Sequence, residues 1–148
     1  MHIDVLHGPN LNLLGEREPK TYGRTTLAEI DARLQALGRE LGATVTSFQS
    51  NHEGALIDRL HQQRRTADAF ILNPAGYTHT SVALRDAVLA TGKPFIEVHL
   101  TNTDAREAFR RTSLFADVAL GRVTGLGPIG YELALRALVD RQTSGPRS

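Results

Sequence analysis

Hydrophobic positions along the chain follow two alternating patterns. Short runs rich in β-branched and aromatic residues occur at IDVLH (3–7), TVTSFQ (44–49), AFILN (69–73), FIEVH (95–99) and DVALGRVTG (117–125). Runs of this length, bounded by turn residues, predict strands. Between them the spacing lengthens to three and four. Leu27, Ile30, Leu34, Leu37 and Leu41 repeat on one helical face, with Thr26 and Glu29 as a capping box at the start and Gly42 at the end. Ser50 and Glu53 form a second box ahead of Leu56, Ile57 and Leu60. Thr80 and Ser81 precede VALRDAVLA, which Gly92 and Pro94 close, and YELALRALVD predicts the last helix. The closing RQTSGPRS, 141–148, has the composition of a disordered tail.

Strands that alternate with helices and are themselves largely apolar imply a parallel sheet covered on both faces. The predicted class is α/β: a flavodoxin-like, doubly wound, five-stranded parallel sheet with helices on both faces. A chain of 148 residues fits one domain, 1–148. Seventeen Lys and Arg against sixteen Asp and Glu leave a formal charge of +1, which argues against a partner held by counterion release, such as a long nucleic acid. A small anionic substrate stays open. The absence of cysteine removes disulfides, a thiol nucleophile and thiolate metal sites, and fits a reducing compartment. With no basic, apolar leader and no run near the roughly 18 residues of a membrane span, a cytoplasmic protein with no membrane partner is expected.

GLGPIG, Gly125 to Gly130, is a literal G-x-G-x-x-G between a strand and a helix, the context of a dinucleotide fingerprint. The rest of that unit, a further strand with an acidic residue about 20 positions on, is missing, so the motif reads as the tight turn into the last helix. A flavin- or nucleotide-binding module is the alternative on fold grounds, but the first loop lacks a hydroxyl-rich phosphate cradle. No G-x-x-x-x-G-K-[ST] and no H-E-x-x-H occurs.

Open α/β sheets bind ligands at the carboxyl ends of their strands, and polar residues gather there. Asn10, Arg17 and Tyr22 follow the first strand, SNHEG the second and NPAGYTHTS the third, while EVHLTN holds the end of the fourth. Glu97 and His99 are two apart and share a strand face, so Glu97 can hold His99 in one tautomer and stabilise its imidazolium, as a general acid requires. A satisfied polar pair at a sheet end explains the same spacing equally well. His79, just before a helix, reads first as a capping or surface residue. His2, His7, His52 and His61 carry no comparable signal.

Together LHGPNLNLLGEREPKTYG, FQSNHEGALIDRLH, NPAGYTHTSVALRDAV, EVHLTN, AREAFRR and GLGPIGYELALRAL cover nearly the whole chain, and in this order they resemble the type II 3-dehydroquinate dehydratases. The resemblance implies a hydro-lyase that converts 3-dehydroquinate to 3-dehydroshikimate and water through an enolate, without cofactor or metal. It also implies a homo-oligomer, a dodecamer of trimers. The context would be the shikimate route to aromatic amino acids, or quinate catabolism.

Residue by residue, it implies that Tyr22 is the base, Arg17 the cation that makes it competent, His99 the acid, Glu97 its orienter and Asn10 a stabiliser of the enolate. Substrate contacts fall on Asn73, His79, Leu100, Thr101 and Arg110, with Asp86 supplied by a neighbouring subunit; Arg106 is a weaker candidate. Tyrosine titrates near ~10 and needs a nearby cation to serve as a base at neutral pH. The chain departs from the commoner family pattern in three places. Thr101 stands where serine is usual, Asp104 stands where many members have histidine, and NPAG varies the order of the small residues.

Overall fold

The computed structural model describes every residue except 17–19, 21–22 and 146–148. Strands β1 (His2–His7), β2 (Thr44–Gln49), β3 (Ala69–Asn73), β4 (Phe95–His99) and β5 (Gly121–Thr124) pair in parallel in the order β2-β1-β3-β4-β5. This is the flavodoxin-like order, with its switch point between β1 and β3. Helices α1 (Leu27–Leu41), α2 (Glu53–Gln63), α3 (Val82–Ala90) and α4 (Ile129–Ser144) cover both faces. Among the described residues no helix is long and apolar enough to cross a membrane.

Alternation along the strands decides which side chain meets which helix. Ile3, Val5, Ala69, Ile71, Ile96 and Val98 join Ile30, Leu34 and Leu37 of α1 and Tyr131, Leu135 and Leu138 of α4 in one core layer. Leu6, Phe70, Leu72 and Phe95 face Leu56 and Leu60 of α2 and Leu84 and Val88 of α3 in the other. Burying a side chain of this size contributes roughly 1.5–3 kcal/mol, so a strand slipped by one residue would forfeit both layers at once.

The helix ends follow the sequence in two cases. The Thr26 hydroxyl accepts the Glu29 N–H at 3.2 Å and Gly42 closes α1; the Ser81 hydroxyl accepts the Leu84 N–H at 2.9 Å and caps α3. The second capping box does not form. Ser50 accepts from the His52 N–H at 2.9 Å, His52 is the N-cap of α2, and the Glu53 carboxylate instead accepts the Ser81 hydroxyl across to α3. The fifth strand also starts four residues late, at Gly121. The Val118 and Ala119 amides both bond to the Phe115 carbonyl, a turn set by Phe115, which is fully buried and edge-on to Phe95. At the far end α4 continues through Arg141–Ser144, where the composition had suggested a tail.

GLGPIG is the turn from β5 into α4. Gly125 and Gly127 take φ of 86° and 68°, conformations that glycine alone adopts without strain. Their amides are committed to the carbonyls of His99 (3.2 Å) and Leu100 (2.9 Å), so they are not offered to a phosphate.

Candidate active site

At the carboxyl end of the sheet the loops after β1, β3 and β4 enclose a cleft of about 140 Å³. Backbone packing holds the first two loops together. A Cβ on Gly8 would stand 2.3 Å from the Pro74 carbonyl oxygen, so only glycine lets these segments approach, and the Gly8 amide donates to the Asn73 carbonyl at 2.8 Å. Asn10 follows at φ 70°, a left-handed conformation that asparagine tolerates better than most residues. Its backbone N–H donates to Asn51 Oδ1 at 2.9 Å.

The cleft wall includes Asn10, Asn73, His79, His99, Leu100, Thr101 and Arg110, all expected in the site, and also Arg106. They arrive from both faces of the sheet: Asn73 projects to the α1/α4 side and His99 to the α2/α3 side, each as the last residue of its strand. Arg17 and Tyr22 lie outside the described residues. Asp86 is on the exposed side of α3, away from the cleft wall. Asp104 is exposed and likewise stands apart from the wall.

Behind His99, Glu97 is fully buried. Its Oε2 lies 2.6 Å from His99 Nε2 and accepts the Thr78 hydroxyl at 3.0 Å, while Oε1 accepts Arg122 Nε and the Ser113 hydroxyl, each at 2.8 Å. Burial alone would drive this carboxyl up. The hydrogen bond and charge of His99, then Arg122 and Ser113, outweigh it and hold Glu97 below the ordinary glutamate value. An ionised Glu97 only accepts hydrogen bonds, so His99 Nε2 carries a hydrogen and Nδ1 is the ring nitrogen left for the cleft.

His79 Nδ1–H donates to the Thr112 carbonyl at 2.7 Å, which turns Nε2 of the neutral ring into an acceptor. His79 therefore does not cap α3; Ser81 does. Arg110 Nε donates to Glu107 at 2.6 Å, and Arg106 Nη1 to the Thr101 hydroxyl at 3.4 Å. The carboxylate of Glu107 sits below its usual range, through a backbone hydrogen bond and then that of Arg110. Among the described residues no group of three His, Asp or Glu side chains is placed to hold a metal ion.

Sequence reasoning did not single out Thr78, Ser113, Arg122 or Asn51. For Arg122 a signal existed: it is the register partner of Glu97 on β5, so the predicted strand order would have set opposite charges side by side. Ser113 carries no local pattern and reaches Glu97 only through the turn after the short 3₁₀ segment Ala108–Arg111.

A buried carboxylate–imidazole pair opening on a cleft of amides and guanidinium groups, at the switch point of a flavodoxin-order sheet, defines an enzyme built for proton transfer. The chain belongs to the class II dehydroquinases, whose family model, Dehydroquinase class II, matches residues 1–139. It is 58% identical over 148 residues to the 3-dehydroquinate dehydratase of Desulforudis audaxviator, covering 100% of this chain and 99% of that protein. It is 53% identical over 133 residues to Catabolic 3-dehydroquinase 1 of Neosartorya fischeri, covering 90% and 89%. The crystal structure of type II dehydroquinase from Butyrivibrio crossotus superposes with a TM-score of 0.91 at 38% identity, over 93% of this chain and 97% of that one.

Proposed function

We propose that this enzyme dehydrates 3-dehydroquinate to 3-dehydroshikimate through an enolate, as a cytoplasmic step of the shikimate route to aromatic amino acids. The observation that carries the mechanism is the Glu97–His99 pair, with His99 on the cleft wall. Tyr22, made a phenolate by Arg17, removes the proton from the carbon beside the ketone, and the electron pair moves to the ketone oxygen. Asn10 stabilises that oxygen. As the enolate collapses, the carbon–oxygen bond to the hydroxyl breaks, His99 Nδ1–H gives its proton, and water leaves. The Glu97 carboxylate stabilises the imidazolium that does this.

Arg110 pairs with the substrate carboxylate, exchanging Glu107 for it. Asn73, His79 and the Leu100 and Thr101 segment place the ring, and Asp86 enters from a neighbouring subunit of a dodecamer of trimers. A Schiff-base route has little support from placement. Lys93 precedes β4 and so stands at the amino edge of the sheet, opposite the cleft, and Lys20 is exposed.

The test is formation of a conjugated enone from 3-dehydroquinate, followed by ultraviolet absorbance with no metal or cofactor added. Tyr22→Phe is expected to lower kcat by about 10²–10⁴-fold with circular dichroism unchanged. Near-wild-type turnover would exclude Tyr22 as the base. Arg17→Ala should lose nearly as much, and the double variant little more than Tyr22→Phe alone, since the guanidinium then has no phenol to activate.

A further inference from the structure

Asn73 and His7 are register partners on β3 and β1, and both reach one atom, the Tyr131 hydroxyl, at 2.9 Å each. The other ring nitrogen of His7, Nε2, lies 2.8 Å from Asp31 Oδ1 on α1. Tyr131 and His7 are fully buried and Asn73 is 2% exposed, whereas the Asp31 side chain is 28% exposed. A chain of hydrogen bonds thus runs from the cleft, through the core, to a partly exposed carboxylate on a helix that carries no other candidate residue.

Donor and acceptor chemistry fixes its direction. The Ala75 amide can only donate, so the Asn73 atom it meets at 3.1 Å is Oδ1, and the amide nitrogen must face Tyr131. That nitrogen also only donates. The phenol oxygen therefore accepts from Asn73 and gives its own hydrogen to His7 Nδ1, which must present a lone pair. His7 then carries its hydrogen on Nε2 and donates it to Asp31. A hydrogen on Nδ1 would aim two donors at one oxygen and leave the buried phenol hydrogen without an acceptor, which is costly. Burial pushes the phenol up, against the Asn73 hydrogen bond and helped by the Asp31 charge, so it stays protonated.

With one N–H spent on Tyr131, the Asn73 amide keeps a second, and Asn73 lines the cleft. We propose that Tyr131, oriented by His7 and Asp31, is a positioning residue that locks the Asn73 amide as a hydrogen-bond donor to an oxygen of the bound substrate. The inference rests on the reading of Asn73 as a substrate-binding residue.

Nitrogen-15 shifts of the histidine rings in the wild-type enzyme at neutral pH test the direction of the chain. His7 is expected as the neutral Nε2–H tautomer; an Nδ1–H or doubly protonated ring would overturn the proposal. Steady-state kinetics test its purpose. Asn73→Ala is expected to raise KM, and Tyr131→Phe to raise KM roughly tenfold with a smaller change in kcat. The double variant should do no worse than Asn73→Ala.

If Asn73→Ala costs activity but Tyr131→Phe does not, or if the losses add, the positioning role is wrong while the reading of Asn73 stands. If Asn73→Ala itself changes nothing, the reading of Asn73 falls and the proposal with it. Should Tyr131→Phe not fold, Asp31→Ala, at the solvent end, serves in its place. It should raise KM severalfold, with partial recovery in Asp31→Asn, which keeps an acceptor; an unchanged KM in Asp31→Ala would overturn the proposal.

Discussion

Glu97 shows what single residues reveal and what they hide. Its contact with His99 is legible because alternate positions on a strand share a face. Its other partners are 16 to 25 positions away, and they meet only once β4 lies beside β5 and the loop before α3 folds over the strand ends. The same distance in sequence hid the link from His7 to Tyr131, 124 positions apart. The placement of Glu97 sets a pH dependence. The folded carboxyl titrates below its ordinary value of 4.5, so the unfolded chain takes up the proton first as pH falls. Glu97 therefore contributes stability above about pH 4.5, and that contribution is lost as pH drops through the folded value. Urea unfolding between pH 3 and 7 should show a shallower acid slope in Glu97→Gln than in wild type. Equal slopes would mean that the charge does not support the fold. In the same variant kcat should fall about 10- to 100-fold, because the amide cannot stabilise the imidazolium as a carboxylate does.

Elements were legible where local chemistry decides them. TVTSFQ, AFILN and FIEVH became strands with the expected ends, and Thr26 and Ser81 cap their helices. The capping box failed at α2 because the Glu53 carboxylate takes the hydroxyl of Ser81, the cap of α3, and the expected start failed at β5 because burial of Phe115 bends the chain before the strand can begin. Neither contact is local. The 3₁₀ turn Ala75–His79 offers a test of its own. Ala75 has φ 52°, a left-handed conformation that costs an alanine roughly 1–2 kcal/mol. Gly76 lies outside that region and has open space where a Cβ would go. Ala75→Gly should relieve more strain than the roughly 0.4–1 kcal/mol it adds in unfolded-chain entropy, and Gly76→Ala should stabilise by about the same 0.4–1 kcal/mol. The exchanged pair is expected to be more stable by about 1 kcal/mol in chemical denaturation. A double variant less stable than wild type would show that the backbone of this turn is not strained.

For the whole molecule, the strand order was legible, since five strands alternating with helices leave few topologies. The surface was not, because exposed residues carry no periodicity that names a partner. The structure nevertheless gathers a signal there. Val82, Asp86 and Leu89 stand at i, i+4 and i+7 on one face of α3, with Val82 58% and Leu89 46% exposed. An acidic residue flanked by bare apolar side chains suits an interface: in the proposed oligomer the apolar pair would seal the contact and carry Asp86 to a neighbour's cleft. On this argument assembly and activity fail together. Leu89→Glu should leave the subunit folded, because the side chain supports no core layer, yet it should shrink the assembly in light scattering and lower specific activity with it. Asp86→Ala should leave the assembly intact and lower kcat/KM by about tenfold or more, as expected for the loss of one partner of a buried polar contact. The two variants separate the residue from the surface that delivers it. A monomeric Leu89→Glu enzyme with full specific activity would remove Asp86 from the site, and unchanged kinetics in Asp86→Ala would leave α3 as an interface and nothing more.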